Sequence, residues 1–130
     1  RIEAFVRGYI QKKSLSVGYA TASEVAVTRQ GDCTEHAVLA TALCRAAGVP
    51  AQVVTGLAYT QQFAGRKDVF VPHAWFCVFV GGKWVGLDAA LEGFDARHIA
   101  LCCGDGDPAG FFNLATTLGY FQIAEAKVEK

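Results

Sequence analysis

Residues 33–47 read CTEHAVLATALCRAA, and Gly48 and Pro50 follow at once. Ala and Leu, the strongest helix formers, dominate the run, and a Gly with a Pro close behind it is a helix stop. Positions 37–40, 42, 43, 46 and 47 are all apolar, which leaves almost no polar face. A helix apolar nearly all round is a buried helix, so other layers must cover it on more than one side. Its start is equally plain. Arg29-Gln-Gly-Asp32 is a turn hinged at Gly31, so Cys33 opens the helix.

Beyond Pro50 the period changes. Residues 51–59 are Val-rich and read as a strand, and 60–68 are polar and loop-like. Residues 69–80, VFVPHAWFCVFV, are aromatic and β-branched, hence a strand. Gly81-Gly82 is a two-residue hairpin turn, and residues 83–89 are the returning strand. A further strand is expected over 98–103, a helix over 108–118 and a last strand over 120–128. Upstream, Ile2, Phe5, Val6, Tyr9 and Ile10 predict an amphipathic helix over 2–13, ended by the 14–18 stretch. Thr21 or Ser23 could cap a short helix after it. Helices first and mostly antiparallel strands afterwards make the chain α+β, with the buried central helix packed across one face of the sheet.

The length of 130 residues fits a single domain. Such a domain buries roughly two-thirds of its unfolded surface and needs no disulfide or metal to fold. Apolar residues make up 52% and charged residues 18%, against about 45–50% and about 25% in an ordinary globular chain. That excess points to a thick core or to an apolar face that meets another domain or subunit. Twelve basic and twelve acidic residues are scattered without a basic stripe. This excludes a nucleic-acid binder and a polybasic membrane-surface module. No apolar run approaches the ~20 residues of a spanning helix. The chain starts at Arg1 and has no Met. The expectation is a fragment, residues 1–130, of a longer protein, with its compartment unknown. Five cysteines, an odd number at irregular spacing, do not read as a disulfide framework.

Cys33 at a helix start faces free N–H groups and the positive end of the helix dipole, which favour the nucleophilic thiolate. Taken alone it reads more readily as a small buried, inert residue. His73, early on the aromatic strand, is a candidate proton acceptor for Cys33 and donor to a leaving amine. Asp88 lies fifteen residues on, across the Gly81-Gly82 hairpin. Positions summing to about 163 should face each other, and His73 and Asp88 sum to 161, near the same end. An Asp in the apolar Trp84-Val-Gly-Leu-Asp-Ala-Ala run is costly unless paired. It would fix the imidazole tautomer and stabilise the imidazolium. Together the three form the arrangement of a cysteine acyl-transfer enzyme. His36, one turn after Cys33, reads as a supporting residue that orients the loop, with Glu35 as its partner. Trp75 and Trp84 could line a substrate cleft, although aromatic strand residues are more often core. His98 looks incidental.

The runs Gly31-Asp-Cys-Thr-Glu-His-Ala37, Leu43-Cys-Arg-Ala-Ala-Gly-Val-Pro-Ala51, His73-Ala-Trp75, Gly82-Lys-Trp-Val85 and Leu87-Asp-Ala89 resemble, in order and spacing, the transglutaminase-like superfamily. The 20–36 segment looks especially like a bacterial branch of it. The resemblance implies a papain-like cysteine-hydrolase core and a Cys33–His73–Asp88 triad. It also implies thioester chemistry on protein or peptide amides, by hydrolysis (a protease or amidase) or by transfer to an amine, with no cofactor. Cys77 replaces an acidic residue common in the family, and Ala90 replaces a Thr. The backbone N–H of Cys33 is one oxyanion donor; a second is expected from residues 19–30. Three other readings compete: a non-catalytic docking domain of the same fold, a zinc site built on Cys33-x-x-His36 with Cys102, Cys103 and His73, and a redox sensor at Cys102-Cys103. The residues favour the enzyme and no metal.

Overall fold

The computed structural model describes residues 1–14 and 18–108, with Thr116, Tyr120 and Ala124 singly beyond them. The expected helix over 108–118 and strand over 120–128 therefore lie, but for isolated positions, outside the described residues. The elements in chain order are α1 (Ile2–Tyr9), β1 (Lys12–Lys13), α2 (Ala22–Thr28), β2 (Gln30–Gly31), α3 (Cys33–Ala46), β3 (Ala51–Phe63), β4 (Arg66–Val80), β5 (Lys83–Leu87) and β6 (His98–Gly104). The fold is α+β. Four strands form an antiparallel sheet in the order β5-β4-β3-β6. Among the described residues no helix is long and apolar enough to cross a membrane.

The helix α3 is buried from Thr34 to Thr41. On one side it packs against the sheet through Ala37, Val38, Val53 and Ala74, and through Leu39, Ala40, Ala51, Phe76 and Val78. On the other it is covered by α1 and α2, whose buried Val6 and Val25 join the same core, as does Ile10 just past α1. This is the multi-sided cover that its lack of a polar face demands. Side chains alternate along a strand. Since Ala74, Phe76 and Val78 face α3, Trp75 and Cys77 turn to the opposite face, where they pack with Val54.

Three boundaries differ from the sequence reading; the returning strand ends at Leu87, not at residue 89, so Asp88 lies just past it. The first helix stops at Tyr9, not at residue 13. Ile10 is extended, the Gln11 and Lys12 N–H groups turn to the Arg29 carbonyl, and β1 pairs in parallel with β2. Residues 60–68 are not a loop. β3 and β4 run on to a two-residue turn at Ala64-Gly65, with Thr60 opposite Val69 and Gln62 opposite Lys67. Both turn residues have positive φ, 48° and 79°, as a tight hairpin requires. The tip is exposed, so the backbone ladder holds without the apolar alternation by which strands are read. The Gly81-Gly82 hairpin forms as expected, with φ of 58° and 77°. Its register, Val80 opposite Lys83 and Phe76 opposite Leu87, follows the predicted sum of 163.

Candidate active site

The start of α3 is built by the residues around Cys33. Asp32 caps the helix, accepting the Thr34 N–H on Oδ1 at 2.9 Å and the Glu35 N–H in a capping box. Glu35 returns the bond, its Oε2 accepting the Asp32 N–H at 2.9 Å, and its Oε1 takes the Ala20 N–H at 3.0 Å. Gly31 is required by this arrangement. Its φ is 149°, and a Cβ there would lie 2.3 Å from the Cβ of Glu35. The expected partnership of Glu35 with His36 is not made. His36 Nδ1 meets the Asp32 carbonyl at 2.6 Å instead, because Glu35 is held by two backbone donors. Burial holds the His36 pKa below its ordinary value, so the ring is neutral and Nδ1–H donates. With the Thr34, Glu35 and His36 N–H groups engaged by Asp32, the cap leaves the Cys33 N–H as the first-turn donor over.

The sulfur of Cys33 is not the ready thiolate expected from the helix dipole. Burial, reinforced by the Asp32 charge, pushes its pKa up to about 11, against hydrogen bonds from the Ala74 backbone and the Thr34 side chain. The anion that caps the helix offsets the field of the helix N-terminus, so at neutral pH Cys33 rests as a thiol.

Asp88 follows the last residue of β5 and is wholly buried. Its Oδ2 accepts from His73 Nε2 at 2.6 Å and from His98 Nε2 at 3.0 Å. Its Oδ1 accepts the Ala90 N–H at 2.7 Å and the Leu91 N–H at 2.9 Å. Burial alone would raise its pKa. The His73 bond, the Leu91 N–H and the His98 bond outweigh burial and hold it down at about 2. Its backbone is gripped as well. The Asp88 N–H donates to Glu3 Oε1 at 3.1 Å, and its carbonyl accepts from Arg7 Nη2 at 2.7 Å. Glu3 and Arg7 pair with each other along α1 at 3.3 Å.

Of the residues singled out in sequence, His73 and Asp88 are therefore in direct contact. Cys33 reaches the same strand one residue away: its sulfur bonds the backbone of Ala74, and the Asp88 charge acts on it. A direct hydrogen bond from the sulfur to the His73 ring is not among its contacts. With Nε2 of His73 on Asp88, Nδ1 is the ring atom that the carboxylate leaves unengaged. Trp75 is buried and backs the site, its ring 6.0 Å from that of His73 and 5.1 Å from that of His98. Trp84 is half exposed, stands against Phe79 near the hairpin turn and is four residues from Asp88, so it is remote from the imidazoles. The five cysteines are unbonded. Among the described residues, potential metal-ligand atoms gather not around Cys33-x-x-His36 but at His73, Asp88 and His98, within 4.8 Å of one another.

Sequence reading overlooked three residues here. His98 is not incidental: its side chain is buried on Asp88. Nothing in its position signalled this, since β6 pairs with β3 and reaches Asp88 only through the fold. Glu3 and Arg7 are not singled out either, since nothing in the sequence sets them apart from any i,i+4 surface pair.

The model of the transglutaminase-like superfamily core matches residues 1–89. A solved structure from Cytophaga hutchinsonii, described as a "Putative Cysteine Protease", superposes with a TM-score of 0.69 at 26% identity. The match covers 84% of this chain but 36% of that one, so the chain spans about a third of its structural relative. No curated protein matches. These likenesses support a cysteine-based hydrolase or transferase on a papain-like core. The chain belongs to the transglutaminase-like superfamily.

Proposed function

We propose that this domain is an acyl-transfer enzyme acting on peptide, glutamine or isopeptide amides through a thioester on Cys33, with His73 and Asp88 completing the triad. The observation that carries it is the 2.6 Å bond from His73 Nε2 to a buried, anionic Asp88, one residue from the backbone that holds the sulfur. That bond leaves Nδ1 as the basic atom. As a substrate carbonyl binds, the Cys33 proton passes to Nδ1 and the sulfur attacks the carbonyl carbon. The Cys33 N–H stabilises the resulting oxyanion. The imidazolium, steadied by Asp88, then protonates the departing amine and the C–N bond breaks. Water or a second amine, deprotonated by His73, cleaves the thioester and restores the thiol. A resting thiol suits this base-assisted route better than a preformed ion pair, because the proton must move only when substrate is present.

The same resting thiol is what a non-catalytic docking domain would show, and one experiment separates the two. The protein is incubated with a peptide library and its intact mass is read after acid quench. An acyl adduct localised to Cys33, absent from a folded Cys33→Ala variant that also lacks turnover, is the expected result. Turnover retained by Cys33→Ala would rule out the mechanism.

A further inference from the structure

His73 and His98 converge on one oxygen, Asp88 Oδ2, from two strands that are not neighbours in the sheet. An ionised carboxylate only accepts hydrogen bonds, so each imidazole carries its proton on Nε2. The 2.6 Å contact is that of a shared proton, since two donors on one zinc ion would stand roughly 3.3 Å apart. His98 is held for this task. With its proton on Nε2, its Nδ1 accepts the Asp95 N–H at 3.5 Å, and its ring is packed by Trp75 at 5.1 Å and Phe94 at 4.8 Å between centroids. Its side chain is 2% exposed.

We infer that His98 is a positioning residue of the site: by donating Nε2–H to Asp88 Oδ2 it fixes the carboxylate toward His73 and takes up part of its charge. This rests on the triad reading above. Four donors fill the four acceptor positions of the Asp88 carboxylate, leaving it no second rotamer with equal bonding. Removing His98 leaves the Asp88 charge undivided toward His73. The imidazolium is then stabilised more, and His73 keeps its proton to higher pH. The other titratable or charged groups facing this cluster are Glu3 and Arg7 of α1, Cys33 and His36 of α3, and Asp95 and Arg97 of the segment before β6. All are unchanged in the test.

Iodoacetamide labelling of Cys33, resolved by peptide mass spectrometry and followed from pH 5 to 9, reports when His73 is free to take the thiol proton. Over the steady rise of a thiol whose pKa is about 11, wild type should show a His73-dependent component with an acid limb that His73→Ala abolishes. Glutamine places an N–H near the imidazole Nε2, whereas asparagine places one near Nδ1. His98→Gln should therefore keep the wild-type limb. His98→Asn and His98→Ala should move it up by roughly half to one pH unit and lower the plateau about three- to tenfold. The Gln and Asn variants are alike in polarity, so their contrast survives even where His98→Ala does not fold. Wild-type profiles in folded Asn and Ala variants, or equal damage in Gln and Asn, would overturn the role of His98 and leave the triad standing. Loss of any His73-dependent limb in the wild type would overturn both.

Discussion

Glu35 and Asp88 are both carboxylates with no exposed surface, yet the protein drives them in opposite directions. Burial raises the Glu35 pKa against its two backbone donors, Asp32 and Ala20, and the neighbouring Asp32 charge adds to the rise. Asp88 has two backbone donors as well, but it also has two imidazoles, and it is held at about 2. Equal exposure thus goes with a carboxyl pKa raised at one corner and held down at about 2 at the other. What decides is whether the partners can themselves take up charge. A backbone N–H offers a fixed partial charge, whereas an imidazole beside a carboxylate can become a cation when a proton arrives. Glu35 ties the helix start to residues 20 and 32; Asp88 ties the imidazoles of His73 and His98 together.

The largest test of this contrast is Asp88→Asn. It keeps the shape but offers His73 an amide, so kcat/KM on a thioester-forming substrate should fall about 10³–10⁴-fold. Glu35→Gln should leave kcat within a few-fold, and comparable losses from the two substitutions would erase the distinction. Next in size is Gly31→Ala, whose Cβ would overlap Glu35. It should cost about 3 kcal/mol in urea unfolding, more than the ~1 kcal/mol of Glu35→Gln, which keeps one acceptor oxygen.

The last effect is the pH dependence of stability. Asp88 has a folded value of about 2 against an ordinary 3.8. Its contribution is present above roughly pH 4 and is lost as the pH falls toward 2, by about 2 kcal/mol. Glu35, with a raised value, contributes in the opposite sense: fully below its ordinary 4.5, and less as the pH rises through its folded value. Urea midpoints between pH 2.5 and 6 should therefore show a shallower acid decline in Asp88→Asn than in the wild type, and a steeper one in Glu35→Gln. Parallel curves for all three proteins would mean that neither carboxylate titrates differently on folding.

Much of the scaffold could be read from local pattern. The α3 boundaries, the Thr21 cap, the Gly81-Gly82 turn and the β4–β5 register all follow from residue type and spacing over a few positions. The exposed hairpin at Ala64-Gly65 could not be, because its strands carry polar side chains and only their backbones pair. The pairing of His73 with Asp88 was legible because a two-residue turn fixes which positions meet across a hairpin. The state of Cys33 was not, since the helix dipole is a local feature while burial and the Asp32 charge are features of the packed site.

Sequence alone determined which residues lie at the helix start and on each arm of the hairpin, because hydrophobic period, caps and turns act between near neighbours along the chain. Tertiary structure alone decided what surrounds Asp88. His98 arrives through the pairing of β6 with β3, and Glu3 and Arg7 arrive through the docking of α1, contacts 10, 85 and 81 positions apart in the chain. Electrostatics depends on distance in space, and only the folded chain sets that distance.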